Sequence, residues 1–420
     1  MLLGCIGDDF TGSSDLGNTL SRQGMRVAQY CGIPARPASA NVDAGIVALK
    51  TRTIPVEAAV RQSLAALEWL IEQGCEQFFF KYCSTFDSTP QGNIGPVIDA
   101  LMQRLEAPLA IVCPAFPGTG RKLFQGHLFV GDRLLSESGM QNHPLTPMTD
   151  PDIRRWLTPQ TRNRVGHIPY ETVRQGGDAI RRALKENIAN QTPVVIIDAI
   201  LDEDLFEIAT SLSKNMLVTG GSGIALGLPG QFNRQLLLSS DQEDWRGDPG
   251  PAAVLAGSCS GMTLRQIEAY KAKNPARSIS PEDIMSSRLT PASLADWCGN
   301  LGEGVAPLVY TSADPSAVTN AQKQFGREAV ASAIEAFFAE LARQLVSKGV
   351  RRLVVAGGET SGAVVEGLAL EELHVGPQIA PGVPALKAED KSLWIALKSG
   401  NFGQETFFEE ALSILAGGQS

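Results

Sequence analysis

Two adjacent aspartates stand where an apolar run ends and a helix begins. Residues 7–15 read GDDFTGSSD, and the helical stretch LGNTLSRQG follows them. A carboxylate at the carboxyl end of a strand can orient or deprotonate a substrate hydroxyl. Capping of the helix would explain one acid together with Thr11 or Ser13, but it would not explain two. We therefore predict a functional role for at least one of Asp8 and Asp9.

The same half of the chain contains cations that could bind an anionic substrate. LKTRT (49–53) ends a strand-like run with Lys50 and Arg52, and KYCSTFDST (81–89) follows QFFF with Lys81. Lysine and arginine at strand ends can hold a carboxylate, and arginine can do so with two hydrogen bonds. For any one of them, a solvated surface cation is the commoner alternative. The second stretch also supplies polar candidates, namely Ser84, Thr85, Asp87 and Ser88.

A glycine-rich turn in the second half is typical of phosphate binding. The apolar run RLVVA leads into GGETSG (357–362), and a helical pattern follows. Free backbone N–H groups at a helix start, with glycines that allow close approach, bind phosphate well. An ordinary capped helix start is the alternative. The candidate residues are Gly357, Gly358, Glu359, Thr360, Ser361 and Gly362.

Two further glycine turns follow apolar runs of the same half. They are AGSCSGMT (256–263), which contains Ser258, and KSGNFG (398–403), which ends at Gly403. Turns that follow parallel strands meet at one sheet edge, where ligands bind in open α/β folds. The chain has no Gly-Lys dipeptide, so a Walker A loop is excluded, and GSGIALG (221–227) misses the Rossmann spacing by one residue. These patterns favour a nucleotide site and disfavour hydride transfer with NAD.

Short apolar runs alternate with longer helical stretches such as 56–74 and 327–349. This alternation predicts an α/β fold with mainly parallel sheets covered on both faces by helices. The exception is KLFQGHLFVGDRLL (122–135), which we interpret as a hairpin outside the sheet; Arg121 or Lys122 could contact an anion there. The predicted strands cover residues 2–7, 45–50, 77–83, 109–115, 193–199, 216–220, 252–260, 306–312, 352–358 and 393–400.

A chain of 420 residues is too long for one ordinary core, so we predict two domains. The polar, acidic stretch LLSSDQEDWRGDPGP (237–251) marks the boundary and gives domains of 1–240 and 252–420. Each domain is expected to contain a mainly parallel sheet flanked by helices, with an active-site cleft between the two.

The composition restricts the class of protein. The net charge is −9 without a concentrated Lys/Arg run, which disfavours nucleic acid and anionic membranes as partners. Seven cysteines form no CxxC pair and four histidines form no HExxH motif, so a structural zinc site is not expected. No signal peptide and no apolar run of about 20 residues are recognisable. We expect a cytoplasmic protein with reduced thiols.

Several of these stretches together resemble the four-carbon acid sugar kinase family, most closely its 3-oxo-tetronate 4-kinase branch. The resemblance covers nearly the whole chain and is most specific in FKYCSTFDST with GNIGP and in SESGMQNHPLTPM. In chain order the stretches are IGDDFTGSSD, LKTRT, FKYCSTFDSTPQGNIGP, FPGTGRKLFQGHLFVGD, LLSESGMQNHPLTPMTD, VTGGSG, AGSCS and GGETSGAVV. One Ala-to-Gly difference, IGDD instead of IADD, is the departure from the family pattern.

The resemblance implies an N-terminal acid-sugar domain and a C-terminal ATP-binding domain. It implies phosphoryl transfer from ATP, with Mg²⁺, to the C4 hydroxyl of 3-oxo-tetronate. The implied ATP contacts are Ser258, Gly357 to Thr360 and Gly403. The implied acid-sugar residues are Asp8, Asp9, Lys50, Arg52, Lys81 and Asp87, beside which we place Thr11, Ser84 and Thr85. We expect Asp9, or else Asp8 or Asp87, to accept the proton of the C4 hydroxyl; the metal ligands are unassigned.

Three alternatives stay open at this point. A kinase for D-threonate or D-erythronate would differ from this interpretation by one oxidation state at C3 of the substrate. A non-catalytic nucleotide or sugar-acid sensor would bind the same ligands without turnover. A dehydrogenase is weakened by the missing fingerprint. The oligomeric state is also open, with a homo-oligomer as one option.

Overall fold

The computed structural model describes residues 1–143, 145–233, 245–302, 304–311 and 323–418. The chain forms two compact units, Met1–Gln242 and Glu243–Ser420. The predicted boundary stretch 237–251 lies outside the described residues as far as residue 244; residues 245–251 contain no helix or strand. The predicted fold class is confirmed, because each unit contains a mainly parallel sheet flanked by helices.

The first unit is built on an eight-stranded sheet in the order β2-β3-β1-β4-β11-β5-β10-β9. All neighbouring strands pair in parallel. Central strands such as LGCIG and VVII are buried along their whole length, which explains their continuous apolar sequences. The strands are β1 Leu3–Gly7, β2 Val27–Cys31, β3 Ala44–Ala48, β4 Gln77–Lys81, β5 Ala110–Cys113, β9 Val165–Ile168, β10 Val194–Ile197 and β11 Leu217–Gly220.

Helices connect these strands, as parallel pairing requires. In α2 the buried residues recur at three- and four-residue spacing, which places them on the face toward the sheet. The helices of this unit are α1 Phe10–Arg22, α2 Val56–Glu72, α3 Ile94–Leu105, α4 Ile153–Leu157, α5 Tyr170–Val173, α6 Gly177–Ala189, α7 Asp202–Ser211 and α8 Pro229–Asn233.

The predicted hairpin is confirmed and has a third strand. β6 Arg121–Phe124, β7 His127–Val130 and β8 Arg133–Leu134 form a separate antiparallel sheet. Its first turn is fixed by the fully buried Asp198, whose carboxylate accepts hydrogen bonds from the backbone N–H groups of Gln125 at 2.7 Å and Gly126 at 3.0 Å. Two backbone hydrogen bonds pair Arg121 with Phe116, which follows the end of β5 by three residues.

The second unit has a seven-stranded sheet in the order β13-β14-β12-β15-β18-β17-β16. The first five strands of that order pair in parallel, and β17 and β16 pair antiparallel at the other side. The strands are β12 Ala252–Ala256, β13 Ala276–Ile279, β14 Leu308–Thr311, β15 Arg352–Ala356, β16 Glu372–Ala380, β17 Val383–Ala388 and β18 Leu393–Lys398. The helices are α9 Gly261–Lys271, α10 Pro281–Met285, α11 Pro291–Gly299, α12 Arg327–Ser347, α13 Gly358–Gly367 and α14 Phe407–Leu415.

Candidate functional site

The first unit brings three chain segments together at the carboxyl edge of its sheet. β1 lies between β3 and β4, so Asp8, the segment after Ala48 and Lys81 are neighbours. Backbone hydrogen bonds hold these strand ends together: the Asp8 N–H donates to the Lys81 carbonyl, and the Thr51 N–H donates to the Asp8 carbonyl, each at 3.0 Å. The sheet order therefore positions the predicted polar residues of three separate stretches side by side.

Arg52 is bound by the two adjacent aspartates. Its Nε and one terminal nitrogen donate to the two oxygens of Asp8 at 2.9 and 2.8 Å, and the same terminal nitrogen donates to Asp9 at 2.7 Å. Its other terminal nitrogen lies 4.0 Å from Asp87. Arginine held by two parallel hydrogen bonds is rigid and neutralised. Arg52 consequently organises the carboxylates rather than presenting a free cation.

The two aspartates differ in environment although they are consecutive. Burial raises the pKa of Asp8 and outweighs the opposing charge and hydrogen bonds of Arg52. Burial also acts on Asp9, but the charges of Arg52 and Lys81 and the hydrogen bonds from Thr11 and the Gly12 N–H outweigh it, so the pKa of Asp9 is lowered. The Asp8 side chain is 5% exposed and that of Asp9 is 28% exposed. Asp9 is thus the more accessible member of the pair and the one whose ionised form the surroundings favour.

The segment after β4 completes this cluster. Thr85 Oγ1 donates to Asp87 at 2.5 Å, and both residues are buried. Ser84 is half-buried and lies against the turn after β11, since a Cβ at Gly221 would be 3.1 Å from the Ser84 Cβ. Thr11 Oγ1 donates to Asp9 at 3.0 Å. The structure thus groups Asp9 with Thr11, Arg52 and Lys81, and Asp87 lies on the other side of Arg52. Ser88 is engaged elsewhere, because its hydroxyl donates to the Phe86 carbonyl and accepts from Trp156 and Gln160.

Lys50 is exposed at the start of the segment after β3. Its role as a substrate ligand stays a prediction.

Lys81 is a cation of a different kind from Arg52. It is 3% exposed, and its ammonium donates to the Tyr82 carbonyl at 2.8 Å. Among the described residues no carboxylate forms an ion pair with it within 4.0 Å, although its charge lowers the pKa of Asp9. Lys81 is therefore the best-placed predicted cation for a carboxylate that a ligand supplies.

The structure adds Asp15 and Ser222 to the residues expected here, and it brings in Arg121, whose charge acts on Asp15. The Ser222 hydroxyl donates to Asp15 at 2.5 Å, and burial raises the pKa of Asp15 against the opposing charges of Lys81 and Arg121. The Nε of Arg121 is buried without a hydrogen-bond partner. One signal could have found Asp15: it follows Thr11 by four residues, which places both on one face of α1.

In the second unit the three glycine turns converge at the carboxyl ends of the adjacent strands β12, β15 and β18. The Gly257 N–H donates to the Ala356 carbonyl and the Gly357 N–H donates to the Lys398 carbonyl, each at 2.9 Å. A Cβ at Gly257 would lie 2.1 Å from Thr360 Oγ1, so the turns are in direct contact. The expected meeting of these turns at one sheet edge is observed.

Two helices begin at this edge. α9 begins after Ser260, whose Oγ accepts from the Thr263 N–H at 3.3 Å. α13 begins at Gly358, and Gly357 before it has φ of 124°, a backbone conformation that favours glycine. Two helix N-termini with small residues before them offer backbone N–H groups and positive dipole ends to an anion. This arrangement fits phosphate groups.

The predicted residues of the GGETSG turn are distributed unequally around it. Gly358 and Glu359 are accessible, whereas Thr360, Ser361 and Gly362 are buried. Ser361 Oγ has no hydrogen-bond partner in the structure. The buried hydroxyls lie behind the turn, so their contact with a ligand stays a prediction, as it does for Ser258 and Gly403.

The third turn is anchored to α9. Gln266 Nε2 donates to the carbonyls of Phe402 and Gln404 at 3.0 and 2.8 Å, on either side of Gly403. Thr263 Oγ1 donates to the Gly400 carbonyl at 2.7 Å. The fully buried Lys398 lies under this turn, and its significance was missed in the sequence, where it is the first letter of KSGNFG.

The described parts of the chain contain no group of three or more His, Cys, Asp or Glu side chains placed to hold a metal ion. None of the described helices is long and apolar enough to cross a membrane.

Comparison with known proteins agrees with the division into two units. Residues 3–228 match the sugar-binding N-terminal domain family, and residues 253–408 match the nucleotide-binding C-terminal domain family.

The chain is 48% identical over 421 residues to the 3-oxo-tetronate kinase of Pseudomonas savastanoi pv. phaseolicola, covering 99% of this chain and 98% of the relative. It is 49% identical over 422 residues to the 3-oxo-tetronate kinase of Burkholderia multivorans, with the same coverage. A crystal structure from Salmonella typhimurium LT2, described as a putative tRNA synthase, is 41% identical with a TM-score of 0.90, covering 97% of this chain and 98% of that one. With both domains matched and full-length relatives at this identity, the chain belongs to the four-carbon acid sugar kinase family.

Proposed function

We propose that this protein is an ATP-dependent kinase that phosphorylates the C4 hydroxyl of 3-oxo-tetronate. The observation that carries the proposal is the near-complete match to 3-oxo-tetronate kinases at 48–49% identity. The structure supports it with two different sites, one rich in carboxylates and cations and one built from glycine turns at helix N-termini. We assign the acid sugar to the first unit and ATP to the second. We also propose that the enzyme acts in the cytoplasm.

Lys81 and Arg121 hold the carboxylate of the substrate in this proposal. Arg52 is already engaged by Asp8 and Asp9, which makes it a poor ligand for a further anion. Lys81 has no ion-pair partner among the described residues, and the Arg121 Nε is buried without a hydrogen bond. A substrate carboxylate would supply the missing partner to both. Charge-assisted hydrogen bonds of this kind fix the orientation of a small acid.

Asp9 binds the C4 hydroxyl and accepts its proton. Its pKa is lowered, its side chain is more exposed than that of Asp8, and Arg52 and Thr11 hold it in place. Phosphoryl transfer needs positioning and charge neutralisation more than covalent participation of the protein. A carboxylate that holds the attacking oxygen in line with the γ-phosphate meets that need. Asp8 supports Arg52, while Asp87 stays a second candidate base because it also faces Arg52.

The backbone N–H groups at the starts of α9 and α13 bind the phosphates of ATP. The residues present fit this role, because small side chains leave the N–H groups accessible. Mg²⁺ bound to the phosphates would neutralise part of their charge. We do not assign it to side chains of this chain. The active-site cleft predicted from the sequence stays a prediction.

The test is ADP release with ATP and Mg²⁺ against a panel of acids: 3-oxo-tetronate generated in situ by a dehydrogenase, D-threonate, D-erythronate and L-threonate. We expect turnover with the 3-oxo acid well above the others. Turnover with a 3-hydroxy acid alone would support the proposed kinase activity but contradict 3-oxo-tetronate as its substrate. No ADP release with any of them, from protein that binds ATP, would contradict the kinase and favour the sensor.

A further inference from the structure

The second unit contains a lysine that is buried without an acidic partner. Lys398 is the last residue of β18 and has no exposed surface. Its ammonium donates to Thr263 Oγ1 at 3.0 Å and to the Gly400 carbonyl at 2.9 Å, and it lies 5.8 Å from the centre of the Phe407 ring. Among the described residues no Asp or Glu forms an ion pair with it within 4.0 Å.

Such a group is unfavourable for the fold by itself. An ammonium removed from water costs free energy unless a carboxylate or several hydrogen bonds replace the water. Lys398 has two neutral hydrogen-bond acceptors and an aromatic ring. Burial alone lowers the pKa of Lys398 to about 7. An apolar residue of similar shape would avoid this cost. Stability therefore does not explain why a lysine occupies this position.

The position of Lys398 relative to the glycine turns supplies that reason. Thr263 belongs to the first turn of α9, and Gly400 lies in the third glycine turn. The carbonyl of Lys398 itself accepts from the N–H of Gly357, at the entry to α13. Lys398 therefore contacts all three components of the proposed phosphate site from behind, without reaching its surface.

We propose that Lys398 is a positioning residue of the nucleotide site: its ammonium joins the third glycine turn to the first turn of α9, and the phosphates of the bound nucleotide balance its charge. This inference rests on the proposed function, in which the second unit binds ATP. Nucleotide binding brings several negative charges next to an uncompensated buried cation. The Coulomb energy is large in a site from which water is excluded.

The proposal requires that nucleotide binding be linked to protonation of Lys398. The groups that contact the ammonium, from α9, the third turn and α14, are the Thr263 hydroxyl, the Gly400 carbonyl and the Phe407 ring, and none of them titrates near neutrality. Phosphates favour the charged form, so the pKa of Lys398 should be higher in the complex. ATP affinity is then greatest below about pH 7 and falls as the pH rises through the window between the two pKa values.

The experiment measures ATP binding by titration calorimetry, with Mg²⁺ and without acid sugar, from about pH 7.5 to 9, where the phosphate pKa of about 6 no longer interferes. We expect the wild-type affinity to fall by up to about tenfold per pH unit, with proton uptake on binding, seen as a heat that depends on the buffer. Lys398→Met should bind ATP about 10- to 100-fold more weakly, take up no proton and show no fall with pH.

Two further variants separate charge from anchoring. Lys387→Met is the matched control. This lysine of the same unit pairs with the exposed Glu389 and has no hydrogen bond to the glycine turns. It should bind ATP like the wild type. Thr263→Val removes one hydrogen bond of Lys398 but keeps its charge, so it should weaken ATP binding and preserve proton uptake.

The outcomes are distinguishable from those of the proposed function. Unchanged ATP affinity and pH slope in Lys398→Met would overturn the role of Lys398 while leaving the kinase intact. If Lys398→Met does not fold, the wild-type titration decides: binding without proton uptake across this pH range contradicts the proposal. Wild-type protein that does not bind ATP would overturn both.

Discussion

The two candidate sites handle anions by different means. In the first unit, side chains carry the charges: Arg52, Asp8, Asp9 and Lys81 lie within one cluster at the sheet edge. In the second unit, backbone N–H groups lie at the starts of α9 and α13, and the cation Lys398 is buried behind them. In the proposed assignment, a small acid sugar and a nucleotide are therefore recognised by different kinds of donor.

The difference has a physical basis in the ligands. Phosphate oxygens are equivalent and can be held by any converging N–H groups, so glycine turns suffice. A four-carbon acid offers one carboxylate, hydroxyls and a ketone, and each must face a group of suitable charge. The first site should therefore be sensitive to the identity of single side chains, and the second to backbone shape.

Replacement of Asp9 by Asn should have the largest effect. It removes the charge that holds the C4 hydroxyl in the proposed mechanism but keeps the size of the side chain. We expect kcat to fall by about 10²- to 10⁴-fold with ATP affinity unchanged within twofold. Steady-state ADP release and ATP titration measure the two quantities separately. Asp132→Asn, in the exposed turn between β7 and β8, is the control and should retain full activity. An active Asp9→Asn enzyme would exclude Asp9 as the base.

Removal of the central guanidinium should cost the next largest amount. Arg52→Met leaves Asp8 and Asp9 without their cation, and breaking a buried ion pair in this way costs about 3–5 kcal/mol in the free energy of unfolding. Arg104→Met, which removes the exposed pair with Glu68, is the matched control and should change little. Urea unfolding followed by circular dichroism measures both. Equal midpoints for the two variants would show that the cluster does not depend on Arg52.

Two neighbouring glycines test the dependence of the second site on backbone shape. Gly357→Ala forces a side chain onto a residue with φ of 124°, which costs about 1–3 kcal/mol and distorts the turn. In Gly358→Ala the added Cβ would have no atom within 4 Å, so this substitution should leave stability unchanged. If phosphate occupies that open space, however, Gly358→Ala should raise the KM for ATP without lowering the melting temperature.

Gly299→Ala, another helical glycine of the second unit with open space, is the control for that pair. It should affect neither the KM for ATP nor the melting temperature. Normal ATP kinetics in both Gly357→Ala and Gly358→Ala would contradict a phosphate site at this turn.

The same contrast explains what could be predicted from the sequence. Parallel strands reveal themselves by apolar runs, and their polar ends must meet at one edge, so the grouping of Asp8, Arg52 and Lys81 followed from order along the chain. The sequence did not reveal which of the cations has no ion-pair partner, because the ion pairs of Arg52 depend on the directions of side chains in space. Glycine turns were equally visible as a pattern, whereas the burial of Lys398 depends on α9 and α14 packing over it.

Asp15 shows a further limit, because its partner Ser222 is 207 residues away in the chain. No local pattern joins two residues at that separation. The helical spacing from Thr11 indicates only which face of α1 Asp15 occupies.

The smallest expected effect concerns the pH dependence of stability, and it compares two carboxylates within the first site. The pKa of Asp15 is raised in the folded protein by burial, so folded Asp15 keeps its proton after the unfolded chain has lost it. The stability this provides is complete below about pH 4 and is lost as the pH rises through the raised pKa, at no more than about 1.4 kcal/mol per pH unit. Asp15→Asn should lack this loss.

Asp9 should behave in the opposite way, because its pKa is lowered in the folded state by Arg52 and Lys81 acting against burial. Its contribution is present above about pH 4 and is lost as the pH falls through the lowered pKa. Urea unfolding between about pH 3 and 7 should therefore show wild type losing stability relative to Asp15→Asn, and gaining it relative to Asp9→Asn, as the pH rises. Two carboxylates in one cluster with opposite slopes would place the available positive charge at Asp9, where the proposed reaction needs an ionised group. Slopes of the same sign would mean that Arg52 and Lys81 do not discriminate between them.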